Sequence, residues 1–317
     1  MMNLTPDAQA ILLVCSQLGA KASGAAPYTL REWNALARKV AASPLQRPGA
    51  MLDLSSQALA SELSLMEAES ERLARLLEGG GMLAIELERL ESLGIWALTR
   101  ADEDYPARLR ERLKDSAPPV LFGSGEQALL GQPGLAVVGS RDVDEAGQRF
   151  AAYVGEACAR NGLEVYSGAA RGVDAIAMGA ALESGGRAVG VLADSLTRAV
   201  RAAEIRAALE RGDLALTTPY APEAGFSVGA AMGRNRLIYA LADYALVVAS
   251  DAQQGGTWAG AVEALKARWV PVFVADGDGA PPGNRQLLQM GARPMPYALS
   301  DEPGQLGEWL QENGHVD

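Results

Sequence analysis

Four short segments of this 317-residue chain place glycine beside arginine, serine, asparagine or threonine, next to runs of apolar residues. They are Val137–Arg141, Ser167–Asp174, Gly233–Arg236 and Gln254–Thr257. The candidate ligand-contacting residues in them are Gly139, Ser140, Arg141, Ser167, Gly168, Arg171, Gly172, Asp174, Arg234, Asn235, Arg236, Gly255, Gly256 and Thr257. Glycine lets an anion approach the backbone, and planar guanidinium groups match the geometry of phosphate oxygens. These residue types therefore predict a site for a ligand that carries several phosphates.

An alternation of strand-type and helix-type segments from Leu135 onward would position these residues. Strands are expected near 135–139, 163–167, 187–193, 214–218, 245–250 and 270–275, and helices near 145–161, 172–184, 199–211, 231–242, 257–268 and 284–290. This pattern predicts an α/β fold, with a doubly wound, mostly parallel sheet of six or more strands. Loops at the carboxyl ends of such strands converge with helix N-termini on one crevice. We therefore expect the four glycine-containing loops at one edge of the sheet.

The order of these segments resembles that of the DNA-processing protein A (DprA, also called Smf) family. Leu135–Arg141 is similar to that family's first strand and loop, Ser167–Asp174 to its second, and Gly233–Ile238 to its Arg-Asn-Arg segment. Upstream, Asp104-Tyr105-Pro106 and Pro118–Gly123 resemble the linker before the family's core. The resemblance covers the chain roughly from residue 94 to residue 292, and four ordered motifs are more specific than any one of them.

The resemblance implies an extended Rossmann-like core and a protein that is not an enzyme and carries no cofactor or metal. Members of this family bind single-stranded DNA and help to load the RecA recombinase during DNA recombination and natural transformation. A cytoplasmic homodimer is expected on the same ground. The resemblance also implies that Arg234, Asn235 and Arg236 help to form a positively charged nucleic-acid pocket, although these arginines could instead form surface ion bridges.

The chain departs from the family pattern at three places. Between Asp194 and Tyr220, the family's glycine-rich, Tyr-Pro-containing turn is replaced by Asp194–Arg198 and a charged helix. Met178 stands where the family usually has histidine, and we expect it to pack as a helical core residue. The loop Gly255-Gly256-Thr257, followed six residues later by Glu263, resembles instead the lysine-decarboxylase-like nucleotide phosphoribohydrolases. Trp258 either stacks on a base or packs in the interior.

Two other functions therefore stay open beside the DprA-like one. The first is a nucleotide-binding or nucleoside-monophosphate phosphoribohydrolase-like protein of the same superfamily, with Glu263 as its catalytic acid. The second is a structural partner whose pocket binds nothing.

Several candidate residues also have a purely structural interpretation. Gly139 either admits a ligand or only permits a tight turn, and Ser140 either holds phosphate or caps a helix. Asp174 could contact a ligand, stabilise the first turn of its helix or form an ion pair with Arg171.

The charge of the chain is unfavourable for a nucleic-acid-binding protein, because the formal net charge is −11 at pH 7. The acidity is uneven, since residues 134–240 contain 11 Lys and Arg against 12 Asp and Glu, and residues 241–317 contain 4 against 10. A local positive pocket on an otherwise acidic body is therefore compatible with this composition.

Histidine and cysteine usage excludes several classes of site. The single histidine, His315, lies near the C-terminus, which argues against Ser-His-Asp hydrolysis and histidine-bearing zinc sites. Cys15 and Cys158 lie on apolar helix-type segments and are expected as buried thiols. The sequence has no apolar run of about 18 residues and no basic flank before Ala10–Cys15, which again predicts a cytoplasmic protein.

Four regions are expected along the chain. They are a small helical domain (1–80), a linker with a short α/β lead-in (81–133), the Rossmann-like core (134–295) and a polar C-terminal tail (296–317). The chain ends about 25 residues after Ala292, so no room is expected for the winged-helix-like domain that many family members carry.

The helical domain is expected to contain four helices. Their ranges are Asp7–Leu18, Leu30–Val40, Ser56–Glu62 and Leu65–Leu77. Thr29 should cap the second helix, and Gly79-Gly80-Gly81 should end the domain. A helix over Leu83–Leu93 and a strand over Ile95–Leu98 should follow.

Overall fold

The computed structural model of this chain describes residues 4–297 and 305–314. The only histidine, His315, and residues 298–304 of the predicted polar tail lie outside the described residues. The chain divides into two compact units. The smaller one contains residues up to 105, residues 113–123 and residues 219–221, and the larger one contains residues 106–112, 124–218 and 222 onward. The domain boundaries expected from the sequence, at residues 80, 133 and 295, remain a prediction.

The smaller unit is mainly helical. Its elements are α1 (Pro6–Cys15), α2 (Gln17–Ser23), α3 (Leu30–Ala42), α4 (Ser56–Leu63), α5 (Glu67–Leu77), α6 (Gly80–Glu91), β1 (Ile95–Thr99) and the start of β2 (Val120–Gly125), whose last two residues belong to the larger unit. Thr29 caps α3 as predicted, through a capping box with Glu32.

Two predictions in the smaller unit are wrong. The helix predicted over 7–18 is two helices, because Ser16 has an extended backbone and its side chain accepts a hydrogen bond from Leu18 N. The break between helices was predicted at Gly79-Gly80-Gly81. It is confined to Gly79, because α6 begins at Gly80. Gly79 lies against the backbone of Gly19, where an added Cβ would be 2.8 Å from the carbonyl oxygen.

The larger unit contains seven parallel strands. They are β3 (Gly134–Val138), β4 (Glu164–Ser167), β5 (Ala188–Val191), β6 (Leu214–Thr218), β7 (Tyr244–Val247), β8 (Val272–Asp276) and β9 (Arg293–Pro296). Their order is β6-β5-β4-β3-β7-β8-β9, and neighbouring strands are parallel. This confirms the predicted α/β class. The seventh strand, β9, was not predicted, because Pro294 and Pro296 lack the N–H donor that an interior strand needs, and both are tolerated at a sheet edge.

The helices of the larger unit precede, connect and follow these strands. They are α7 (Ala107–Leu113), α8 (Glu145–Arg160), α9 (Val173–Glu183), α10 (Leu196–Ala199), α11 (Ala203–Arg211), α12 (Val228–Leu241), α13 (Gly255–Ala267), α14 (Pro282–Gln289) and α15 (Leu306–Asn313). The helix predicted over 199–211 corresponds to α11, which begins four residues later, at Ala203, and α10 ends at Ala199. No helix among the described residues is long and apolar enough to cross a membrane.

Part of the segment expected as a polar tail forms the helix α15. Leu306 and Leu310 of α15 are fully buried, and the Trp309 ring lies 5.1 Å from that of Phe273 in β8. Burial of one apolar face of α15 therefore fixes a helix within an acidic segment.

The strand order reverses at β3, which lies between β4 and β7. The chain proceeds from β3 through β4 and β5 to β6, and then returns to add β7 on the other side of β3. Loops that leave adjacent strands on either side of such a point diverge and open a crevice. The loops after β3 and β7 therefore border the natural ligand position of this fold.

Candidate nucleic-acid interface

A cavity of about 550 Å³ lies at this crevice. It is bordered by the loops after β3 and β7 and by parts of α9, α12 and α13. Nine of the fourteen predicted site residues line it: Gly139, Ser140, Arg141, Asp174, Arg234, Asn235, Gly255, Gly256 and Thr257. Ser167, Gly168, Arg171, Gly172 and Arg236 do not line it, and neither does Glu263.

Backbone contacts fix the loop that follows β3. Ser140 N donates to Ala249 O at 2.9 Å, and Thr257 Oγ1 donates to Gly139 O at 3.1 Å. A Cβ at Gly139 would lie 2.5 Å from Val173 at the start of α9, so glycine permits this close packing. The hydroxyl of Thr257 therefore holds the loop in place as well as facing the cavity.

Asn284 fixes the loop that follows β7, and no sequence motif pointed to this residue. Its Oδ1 accepts from Ser250 N at 3.0 Å, while its Nδ2 donates to Val248 O at 3.0 Å and to Ala275 O at 2.8 Å. This fully buried amide thus joins the ends of β7 and β8.

Arg234 lies inside α12 and is buried. Its guanidinium covers Gly168 so closely that any Cβ at that position would overlap it. The positive charge of Arg234 also acts on the carboxylate of Asp174. The arginine whose charge acts on Asp174 is thus Arg234, whereas Arg171 forms an ion pair with Asp142 at 2.7 Å.

Burial raises the pKa of Asp174 to about 6, although the Arg234 charge and hydrogen bonds from the backbone, including Gly168 N at 3.1 Å, lower it. The carboxylates that line the cavity are those of Asp142, Asp174 and Asp251, and the arginines are Arg141 and Arg234. The cavity is therefore not uniformly positive. Arg141, whose side chain is exposed, is its most accessible cation.

The other two members of the Arg-Asn-Arg segment have different environments. Asn235 lines the cavity and its Nδ2 donates to Gly256 O at 2.9 Å, which joins α12 to the start of α13. Arg236 points away and forms an ion pair of 3.3 Å with Glu263. The candidate catalytic acid is thus part of a half-exposed ion pair outside the cavity lining.

The remaining predicted residues support the cavity from behind. Ser167 is fully buried and its hydroxyl donates to Val137 O at 2.6 Å. Gly172 has a positive φ of 87° and lies where a Cβ would meet the backbone of Ser140 and Arg141. Both residues therefore stabilise or permit the backbone conformation of the loops. Met178 is buried in α9, which confirms its predicted packing role.

The N-terminus of α13 faces the cavity without a side-chain cap. The N-cap residue is Gln254, whose side chain accepts no hydrogen bond from the first turn. The backbone N–H groups of that turn have no partner within the helix, and they carry the positive end of its dipole. Tyr239 lines the same cavity and is 1% exposed, and its hydroxyl has no hydrogen-bond partner among the described residues. The cavity therefore presents donors suited to an anionic ligand.

Sequence reasoning missed the apolar border of the cavity. Phe226, Val228 and Met232 line it and are exposed, while Trp258, the aromatic residue proposed from the sequence, does not line it. The helix predicted over 231–242 begins three residues earlier, at Val228. Ser227, whose side chain caps α12 by accepting from Ala230 N at 3.0 Å, was the signal that could have found this start.

Comparisons with known proteins agree with the architecture. Residues 96–300 match the family model described as DNA recombination-mediator protein A. The Smf protein of Escherichia coli is 31% identical over 218 residues, which are 67% of this chain and 56% of that protein. A DNA processing protein DprA of Mycobacterium tuberculosis is 31% identical over 245 residues, covering 71% of this chain and 62% of the relative. The chain thus spans about three fifths or less of the length of these curated relatives.

Two solved structures share the fold. The DprA structure from Streptococcus pneumoniae has a TM-score of 0.62 and 24% identity, and the match covers 92% of this chain and 99% of that one. A Helicobacter pylori DprA, whose structure is described for its single-stranded DNA binding mode, has a TM-score of 0.57 and 24% identity, with coverages of 70% and 97%.

Proposed function

This chain belongs to the DNA recombination-mediator protein A family, and on that premise we propose that it binds single-stranded DNA in the cavity at the switch point of the sheet. Relatives of the chain are named as DNA processing proteins, and the Helicobacter pylori protein of the same fold binds single-stranded DNA. The observation that carries the proposal is that exposed Arg141 and the uncapped N-terminus of α13 border one cavity.

Arg141 is proposed as the principal contact to a DNA phosphate. Its side chain is exposed, and no carboxylate of the described residues lies within ion-pair distance of it. A guanidinium in this position can donate two parallel hydrogen bonds to phosphate oxygens. The backbone N–H groups of Gly255 and Gly256 and the Tyr239 hydroxyl would supply further donors.

Arg234 has a different role in this proposal. It is 5% exposed, its guanidinium packs over Gly168 and its charge acts on the Asp174 carboxylate, so it fixes the wall of the cavity more than it reaches a ligand. Arg171 and Arg236 are engaged in ion pairs with Asp142 and Glu263.

The wider activity is proposed from family membership. We infer that the bound strand is passed to the RecA recombinase, that the protein acts as a cytoplasmic homodimer, and that it catalyses no reaction itself. RecA filament formation on single-stranded DNA, followed through its ATP hydrolysis, tests the first of these inferences. An unchanged filament-formation rate on adding the protein would argue against mediator activity.

The binding proposal is tested with a fluorescently labelled oligo(dT) and two arginine variants. Arg141→Ala should weaken binding by about 1–3 kcal/mol, the range for loss of a charge-assisted contact. Arg149→Ala is the control, because that arginine of α8 is also exposed but does not line the cavity. The weakening should be similar for different base sequences, since phosphate contacts carry no sequence information. Equal affinities for the wild type and both variants would exclude Arg141 as the phosphate contact.

A further inference from the structure

Three large apolar side chains form an exposed rim on the cavity. Phe226, Val228 and Met232 are 52%, 69% and 47% exposed, although residues of this size and apolarity are usually buried. Val228 and Met232 lie one turn apart on α12, and Phe226 precedes the N-cap residue of the same helix. An exposed apolar cluster beside a polar cavity is typical of an interaction site.

Arg141 connects this rim to the proposed phosphate contact. Its guanidinium carbon lies 5.3 Å from the centroid of the Phe226 ring, within the distance of a cation–π interaction. The ring and the cation both line the cavity. The site therefore offers one flat apolar surface and one cation side by side, and a nucleotide has a flat base and an anionic phosphate at a comparable spacing.

We propose that Phe226 is a stacking platform for an unpaired nucleobase, with Val228 and Met232 extending the apolar surface beneath the neighbouring sugar or base. This inference rests on the proposed function, and it assigns to the rim a selectivity that phosphate contacts cannot provide. A base in a duplex is already stacked and paired, whereas a base in a single strand presents its face to an aromatic side chain. The rim thus favours single-stranded over double-stranded nucleic acid.

The test compares two ligands of equal length and charge, labelled oligo(dT) and an abasic oligodeoxyribose phosphate. Fluorescence anisotropy titrations are made with the wild type, Phe226→Ala, Phe226→Trp and Met290→Ala. Met290 is the control, because it is an exposed apolar residue of the larger unit that does not line the cavity. Thermal melting of each variant checks folding, which an exposed ring at position 226 should barely affect.

Phe226→Ala should weaken binding of oligo(dT) about 5- to 140-fold, the range typical for loss of one base–aromatic stack, and leave binding of the abasic ligand unchanged. Phe226→Trp should restore the affinity for oligo(dT), and Met290→Ala should match the wild type for both ligands. Equal losses for both ligands, or no loss for oligo(dT), would overturn the stacking role while leaving the phosphate contacts of the proposed function in place. A wild type that binds neither ligand would contradict the proposed function, and the stacking role with it.

Discussion

The guanidinium of Arg234 lies directly over the α-carbon of Gly168, in the space that the Cβ of any other residue would occupy. Arg234 comes from the middle of α12, and Gly168 comes from the loop after β4. The contact holds the arginine charge beside the buried carboxylate of Asp174. One glycine thus lets an arginine charge offset a buried carboxylate in the wall of the cavity.

Replacement of Gly168 by alanine should destabilise the protein by about 1–3 kcal/mol, because the added methyl group displaces the Arg234 guanidinium from a buried position. Gly179→Ala is the control, since a Cβ at that position in α9 meets no atom within 4 Å. That variant should be unchanged or slightly more stable, because alanine favours a helix over glycine. Chemical denaturation of both variants measures the difference, and similar midpoints for the two would contradict the assigned packing.

Binding of oligo(dT) should tighten as the pH falls through about 6. Burial raises the pKa of Asp174 to about 6, so its protonation removes a negative charge from the cavity wall below that pH. The internal phosphates of the ligand do not titrate in this range. In Asp174→Asn the group cannot ionise, and the affinity should stay nearly constant between pH 5 and pH 8. If Asp174→Asn shows the same pH dependence of affinity as the wild type, the effect belongs to another titrating group.

The stability of the protein should respond to the same group. Because the folded-state pKa lies above the ordinary value of 3.8, the contribution of Asp174 to stability is fully present below that value and is lost as the pH rises through about 6. The free energy of unfolding of the wild type should therefore fall relative to that of Asp174→Asn as the pH rises from 5 to 7.5. A constant difference would show that the carboxyl has no raised pKa.

Nucleoside monophosphates should not be hydrolysed by this protein. Glu263, the acid expected to act in a phosphoribohydrolase, is paired with Arg236 at 3.3 Å and does not line the cavity. Chromatography of nucleoside monophosphates incubated with the wild type should detect no release of base. Release that disappears in Glu263→Gln would instead establish the enzyme.

The sequence predicted the local elements of the sheet well because their signals are local. Leu214–Thr218 is a continuous apolar and threonine run, and the structure contains it as a fully buried strand with the predicted bounds. The Thr29 cap was also predictable from the sequence, since Thr29 and Glu32, the two members of its capping box, lie within four residues. By contrast, the position of β7 beside β3 depends on contacts between residues more than 100 positions apart.

The role of each arginine could not be read from its spacing. Arg234 and Arg236 are two positions apart on α12 and therefore face different directions, so only the packed helix shows that the first lines the cavity and the second pairs with Glu263. The sequence likewise could not show that Arg171 pairs with Asp142 rather than with Asp174, because the loops after β3 and β4 meet only in the folded sheet.

The central claim, that the cavity binds single-stranded DNA through phosphate contacts, is tested most directly by titrating labelled oligo(dT) with the wild type at a series of salt concentrations. Binding should be detectable at low salt, and the logarithm of the binding constant should fall linearly with the logarithm of salt concentration, by about 0.7 for each phosphate contacted. Arg141→Ala should reduce that slope by about 0.7. A protein that does not bind oligo(dT) at low ionic strength, or whose affinity does not depend on salt, would contradict the claim.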